Sequence, residues 1–333
     1  LSTDGRDRRA ATAWWQRLLG FDPIPAPPSV FALDAHRLRY AQVVRDRQGY
    51  RYRNGAQVAL PPDSFHAGML GGPLRDPAAF ALRVGELVRG IAGGVKEASL
   101  VIPDAWLRVT FTESGELPRQ ADAREEVLRW KLKRLVPFRV EELRVSAVEV
   151  APLPVQEEPG RLLLGFGVEQ LLEQLEEAFT ANGVHLGRIT NASLALLSAV
   201  ELPADGSFSA LVLVEEEGYT LIFARGGEPV LHRFKGLAGP LLEGAEGGFI
   251  TRDLKLTRNF LDEHFSGSPL GTVLLVAPPE AEPQWAERLR EGLGANVLPL
   301  DGRHLVPLRS EDPAAPSWRE LAPLLGAARQ EVF

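Results

Sequence analysis

The sequence contains no cysteine, which excludes disulfides, thiolate nucleophiles and cysteine-ligated metals together. Methionine is nearly missing as well, with Met69 its single instance. No apolar run reaches the ~18 residues of a membrane-spanning helix. The opening Leu-Ser-Thr-Asp-Gly-Arg-Asp-Arg-Arg is followed by no apolar core, so it does not read as a signal peptide. An excess of positive charge is also lacking. The 37 Lys and Arg stand against 44 Asp and Glu, a net charge of −7, and that balance argues against a general nucleic-acid binder. The composition leads to the expectation of a soluble, cytoplasmic chain, and 333 residues leave room for about two domains.

Common catalytic patterns are missing too. The six histidines (His36, His66, His185, His232, His264 and His304) are scattered, with no pair at metal-ligand spacing. Gly71-Gly72 and Gly93-Gly94 lack the lysine that follows a phosphate loop. No Gly-x-Ser-x-Gly element occurs. Glu215-Glu216-Glu217 reads as a solvated acidic turn rather than a cation site.

What is present is a repeated order of elements. Residues 1–28 are expected to be a flexible N-terminal segment with a short amphipathic helix over 12–21, carrying Trp14, Trp15, Leu18 and Leu19. A proline-rich run over 22–28 follows, and proline holds it extended. The helix has two readings, a tail packed on its own domain or a docking or membrane-surface helix on a stiff tether. Alternating apolar residues then predict a β-meander over 30–60, with a turn at Asn54-Gly55. Asp76 caps a helix over 77–92 with proline in its first turn, and strands over 98–102 and 107–112 follow. A helix over 122–136, strands over 143–150 and 161–168, and an amphipathic helix over 169–182 come next. A second meander over 210–235, a helix over 249–265, a strand over 273–276, a helix over 283–293, a strand over 296–299 and a helix over 317–329 complete the chain. Two halves, each with a mixed sheet and flanking helices, make a duplicated α/β fold.

The segment from Ala98 to Val150 carries the most specific local pattern: Leu117-Pro118, Arg129-Trp130, and Val136-Pro137-Phe138 between a helix and a strand. With the return strand and helix of residues 162–197 and the late helix of 251–265, it resembles the type IV pilus assembly PilM family and the cytoplasmic GspL-like family, within the actin-like ATPase superfamily. The resemblance implies an actin-like, ribonuclease H-like duplicated fold. Residues 29–116 and 186–200 would form the first half, 117–185 an inserted α+β subdomain, and 201–333 the second half. Only residues 236–248 join the second meander to its helix, so the second-half insertion subdomain of fuller members has no room.

The resemblance also implies where a nucleotide would sit. An actin-like ATPase cradles phosphates on Asp-x-Gly turns, whose glycine lets backbone N–H groups approach the anion. At the first turn this chain has Asp34-Ala35-His36-Arg37, with His36 where glycine is needed. At the second, Glu215-Glu216-Glu217-Gly218 would set carboxylates against a polyphosphate. At the third, Ala277-Pro278-Pro279-Glu280 replaces a Gly-Gly turn, and its prolines remove donors. Asp34, His36, Glu215, Gly218 and Pro278 are therefore expected to mark a vestigial site, in a pseudo-ATPase with no cofactor. The alternative is an active ATPase that binds ATP and Mg²⁺ through Asp34 and Glu215. The implied function is a non-catalytic scaffold of a type IV pilus or type II secretion assembly platform, peripheral at the inner membrane. Its partners would be a peptide of a PilN-like inner-membrane protein and the motor ATPase. The expected partner-binding residues are Arg129, Trp130, Lys133, Pro137 and Phe138, where a basic rim and an aromatic anchor suit a peptide groove.

Overall fold

A computed structural model describes residues 24–62, 64–65, 74–115, 117–118, 120–136, 139–150, 160–202, 207–225, 228–237, 247–265, 269–313 and 315–332. The expected Trp14-Trp15 helix, and Pro137 and Phe138, lie outside the described residues. Strand β1 (Ile24–Pro25) precedes a meander of β2 (Ser29–Leu33), β3 (Arg37–Asp46) and β4 (Gly49–Ala59), and helix α1 (Pro77–Gly90) leads to β5 (Glu97–Ile102). Then come β6 (Leu107–Glu113), α2 (Ala121–Lys133), β7 (Leu143–Val150), β8 (Arg161–Val168), α3 (Glu169–Thr180), β9 (His185–Asn191) and α4 (Ala192–Ala199). The second meander is β10 (Phe208–Glu215), β11 (Gly218–Arg225) and β12 (Glu228–Gly236). It is followed by α5 (Gly247–His264), β13 (Leu270–Val276), α6 (Glu282–Leu293), β14 (Asn296–Pro299), β15 (Leu308–Ser310), α7 (Trp318–Arg329) and β16 (Glu331–Val332).

These strands form two large mixed sheets. The first has the order β15-β4-β3-β2-β5-β9 and the second β12-β11-β10-β13-β14. In each, a meander is joined by strands running parallel to its first strand, the duplication expected from the sequence. Strands β10 and β11 are buried along almost their whole length, as continuous apolar runs covered on both faces must be. Helices α4 and α7 fill the space between the sheets. Ala195, Leu196 and Leu325 touch Val30 and Val101 of the first sheet and Leu211 and Leu274 of the second within one apolar cluster. The outer faces are covered separately. Phe80 of α1 and Phe179 of α3 pack on Phe31, while Leu254 of α5 and Trp285 of α6 pack on Phe223.

A third, three-stranded sheet, β6-β8-β7, forms the small unit with α2. Its own core joins Leu128 and Leu132 of α2 to Leu143, Val145, Leu164 and Phe166. Sheet membership differs from the expected division at both boundaries. Leu107–Glu113 pairs with β8 and so belongs to the small sheet rather than to the first half. Helix α3 buries Leu171, Leu175 and Phe179 in the first-half core rather than in the insertion. Strand β15 returns to the first sheet, parallel to β4.

The expected turn at Asn54-Gly55 is corrected by the structure. Both residues sit inside β4, opposite Gln42 and Ala41, next to a register shift at Gln42/Val43. A Cβ on Gly55 would meet Tyr52 Oη at 2.6 Å and the Tyr40 carbonyl at 2.8 Å, so close packing selects this glycine. The turn instead lies at Arg47-Gln48. Asp46 Oδ1 accepts the Gln48 N–H at 2.8 Å there, and Gly49 takes φ +115°.

Candidate functional site

The first loop follows β2 and is closed by its own aspartate. Asp34 Oδ1 accepts the N–H groups of His36 and Arg37, each at 2.9 Å. Its Oδ2 receives the guanidinium groups of Arg37 at 3.3 Å and Arg39 at 3.4 Å. The carboxylate is thus engaged by its own turn and two cations. The second loop is the tight β10–β11 hairpin, in which Glu215 pairs with Gly218. A Cβ on Gly218 would collide with the Lys235 carbonyl and the Phe234 ring, so this glycine admits β12. The third loop follows β13, and the Pro278 carbonyl accepts from Ala281 N at 2.9 Å and Glu282 N at 3.0 Å, closing the turn before α6.

The structure brings these loops together. His36 Nε2 lies 2.9 Å from Glu216 Oε2, across from the first loop to the second. The first turn of α7 ties the first loop to the third: Arg37 reaches Glu320 at 3.4 Å, and Arg319 donates to the Ala277 carbonyl at 2.8 Å and pairs with Glu282. Asp34, His36, Glu215, Gly218 and Pro278 all sit on this set of linked loops.

Behind the second loop is a buried polar cluster that no sequence motif marks. Asp104 follows β5 and is fully buried. Its Oδ1 accepts Ser193 N at 2.9 Å, its Oδ2 accepts Thr220 Oγ1 at 2.6 Å, and its own N–H donates to Glu215 Oε2 at 3.0 Å. Burial pushes the Asp104 carboxyl up, opposed by the Ser193 and Thr220 hydrogen bonds. Burial and then the Asp104 charge push Glu215 well above the carboxylate range. His232, also buried, is pushed down to about 3 by burial and by the Arg108 charge. Ser193 Oγ lies 2.9 Å and Asp104 Oδ2 3.8 Å from the same His232 nitrogen, Nε2. A nucleophile relay needs its carboxylate on the other nitrogen, so this trio is no hydrolase triad. The only sequence signals were single polar residues inside apolar strands and an apolar helix, and the lone aspartate of Pro103-Asp104.

A groove of about 190 Å³ opens between the small sheet and the first half, lined by Leu107, Arg144, Ser146, Leu172, Glu176 and Arg188, among others. Strand β7 is the edge of the small sheet and β9 the edge of the first sheet. Arg144 crosses from β7 to α3, pairing with Glu169 at 2.7 Å and Glu176 at 2.6 Å, and so joins the groove's two walls.

Arg129, Trp130 and Lys133, expected to bind a partner, do not line this groove. Side chains alternate across a strand, and Leu143 and Val145 face α2 while Arg144 and Ser146 face the groove. Arg129, Trp130 and Lys133 on α2 therefore lie beyond the far face of the small sheet. Arg129 donates to the Leu143 carbonyl at 3.2 and 3.3 Å and pairs with Glu125 at 2.7 Å. Lys133 is 3.8 Å from Glu141. Trp130 is 61% exposed, with the Arg134 guanidinium 5.8 Å from its ring. Helix α2 therefore does not border the groove between β7 and β9.

No protein-family model matches the chain, and no curated protein matches it. Solved structures do. A PilM-PilN type IV pilus biogenesis complex aligns with 91% of this chain and 97% of the other, at a TM-score of 0.68 and 17% identity. The cytoplasmic domain of EpsL, an inner membrane component of the type II secretion system of Vibrio cholerae, aligns with 91% of this chain and 94% of its own, at 0.46 and 10%. The ethanolamine utilization protein EutJ from Carboxydothermus hydrogenoformans aligns with 92% and 91%, at 0.45 and 12%. The first of these extends over nearly the whole of both chains, and the expected duplicated, actin-like α/β fold is the fold observed.

Proposed function

We propose that the protein is a non-catalytic actin-like scaffold of a type IV pilus or type II secretion assembly platform. In this reading it stands at the cytoplasmic face of the inner membrane and binds an extended peptide of a PilN-like membrane protein, with the motor ATPase as a further partner. The observation that carries the reading is the groove between β7 and β9, in a fold shared end to end with the PilM of a PilM-PilN complex. Two edge strands stand on opposite walls, and a peptide could add to either of them as a further strand. Leu107, Leu172 and Ile189 supply apolar surface for its side chains. Among the described residues no helix is long and apolar enough to cross a membrane, so attachment through a partner suits this role.

The loops support the non-catalytic half of the reading. The Asp34 carboxylate is held by its own turn, and His36 and Glu216 bridge the two turns where phosphates would enter. Glu216 adds a carboxylate where a polyphosphate would bring more negative charge.

Calorimetric titration tests both halves. The probe is a synthetic peptide of the N-terminus of a PilN-like membrane protein from the same organism. Gly187 lines the groove, and a Cβ there would touch nothing within 4 Å. Gly187→Leu should therefore fill the groove without disturbing the fold, and weaken binding by about tenfold or more, the equivalent of ~1.4 kcal/mol. Trp130→Ala should change affinity less than about twofold. The reverse ranking would return the site to α2. Mg-ATP should give no binding heat; micromolar binding would favour the active ATPase instead.

A further inference from the structure

The buried polar cluster lies where all three units of the molecule meet. Asp104 and Ser193 come from the first half, Thr220, His232 and Glu215 from the second, and Arg108 from the small sheet. Neither the groove nor the vestigial loops give this cluster a task, and its role is independent of the proposed peptide site.

Its charge balance is uneven. Arg108 faces Asp104 and favours the ionised carboxylate, though burial lowers its own guanidinium to about 10. His232 adds no charge, because burial and Arg108 keep it neutral. Glu217 on the same hairpin and Asp34 from the first loop both oppose ionisation of Glu215. Above it, Glu216 engages His36 at 2.9 Å, and Asp34 engages Arg37 and Arg39. The half-buried Arg108 thus offsets Asp104, while Glu215 stands beside Asp104, Glu217 and Asp34. Two like charges so close in a desolvated site do not both ionise readily.

We propose that Asp104 and Glu215 hold one proton between them and act as a latch between the two halves. With the proton present, Glu215 stays against the Asp104 N–H, and Thr220 stays on the Asp104 carboxylate. When the proton leaves to solvent, the pair carries two negative charges, and repulsion drives the β10–β11 hairpin from the first half. Glu216 is the next residue along, so its bridge to His36 breaks in the same movement.

These directions fix the sign of the pH response. A carboxyl raised in the folded state contributes stability that is complete below the ordinary carboxylate value, about 4.5, and is lost as pH rises through the folded value. His232 acts oppositely: its lowered folded value gives stability present above about pH 6.5 and lost as pH falls. The latch is therefore read above about pH 6.5, where His232 is neutral in both states.

The test uses the full chain, whose lack of cysteine allows unique spin labels at L82C on α1 and N259C on α5, both exposed positions. As pH rises above about 6.5 the Glu215 chain should lose roughly 2 °C of thermal midpoint per pH unit until the proton has left. The distance between labels should lengthen over the same interval. Glu215→Gln keeps an oxygen for the Asp104 N–H and cannot ionise, so both readouts should stay flat. An equal pH response in Glu215→Gln overturns the proposal, as does a Glu215 chain whose label distance ignores pH, even if its midpoint falls. Should Glu215→Gln fail to fold, the label distance in the Glu215 chain decides alone.

Discussion

Gly326 shows how tightly single residues fix this architecture. It lies in α7 against α4, and a Cβ there would overlap the Ala195 carbonyl and come within 3.2 Å of Ala199 N. No rotamer relieves a clash with backbone, so Gly326→Ala must push the two central helices apart. Overpacking of a well-filled core costs about 3 kcal/mol at its upper end, and urea unfolding should register at least that. A loss under about 1 kcal/mol would mean that the helices slide freely. Nothing in the sequence distinguishes Gly326 from an ordinary helical glycine, because the atom it must avoid is more than a hundred residues away. Gly55 teaches the same lesson from the other side. Asn-Gly is the strongest local turn signal, yet packing beneath Tyr52 decides its use here. Asp104, Ser193, Thr220 and His232 were illegible for a related reason. Each is an isolated polar residue in an apolar run, and only the meeting of three units turns them into one network.

Elements were more legible than residues, since their signals are local. Asp76 followed by proline marks the start of α1, and its side chain accepts Ala79 N at 2.9 Å. The strand Arg161–Val168 and the strand Asn296–Pro299 have the bounds that their patterns predict. Strand β15 was missed, because three residues carry no periodicity and their pairing with β4 is long-range. The assignment of elements to units failed at β6 and α3, because an apolar face says that it is buried without saying against what. The same ambiguity holds for α2: its aromatic and basic surface does not say what it meets, and the groove between β7 and β9 lies across the small sheet from it. Asn191 is the clearest test of an element junction. Its Oδ1 caps α4 by accepting Leu194 N at 3.1 Å, and its Nδ2 donates to the Leu107 carbonyl at 3.1 Å. Asn191→Ala removes a helix cap, worth about 1 kcal/mol, and takes a hydrogen bond from the part-buried Leu107 carbonyl, worth about 1–3 kcal/mol more. Chemical denaturation should give a loss of about 2–4 kcal/mol. A loss confined to the cap value would mean that water replaces the second bond.

At the scale of the whole molecule, the small unit is strapped to both halves by arginines. Towards the first half the strap is Arg144, on Glu169 and Glu176. Towards the second half it is a pair: Arg108 donates to the Phe234 carbonyl at 3.4 Å with its guanidinium 4.2 Å from the Phe234 ring, and Arg161 donates to the Val230 carbonyl at 2.7 Å. Both carbonyls belong to β12, an edge strand, so the arginines also cover an edge that would otherwise invite pairing. The two straps serve different ends. Only the Arg144 strap borders the groove, and a peptide bound there would meet one wall from the small unit and one from the first half. Cutting the second-half strap should therefore leave peptide binding intact while loosening β12. In Arg108→Met with Arg161→Met, charge-assisted bonds to part-buried carbonyls are lost, and partial exposure holds the cost to about 2 kcal/mol. Hydrogen exchange should quicken at the β12 amides, and calorimetric affinity for the partner peptide should stay within about twofold. A tenfold loss of affinity with α3 and β9 still protected would show instead that the groove's shape is set by the second half, with peptide binding coupled to the angle between the halves.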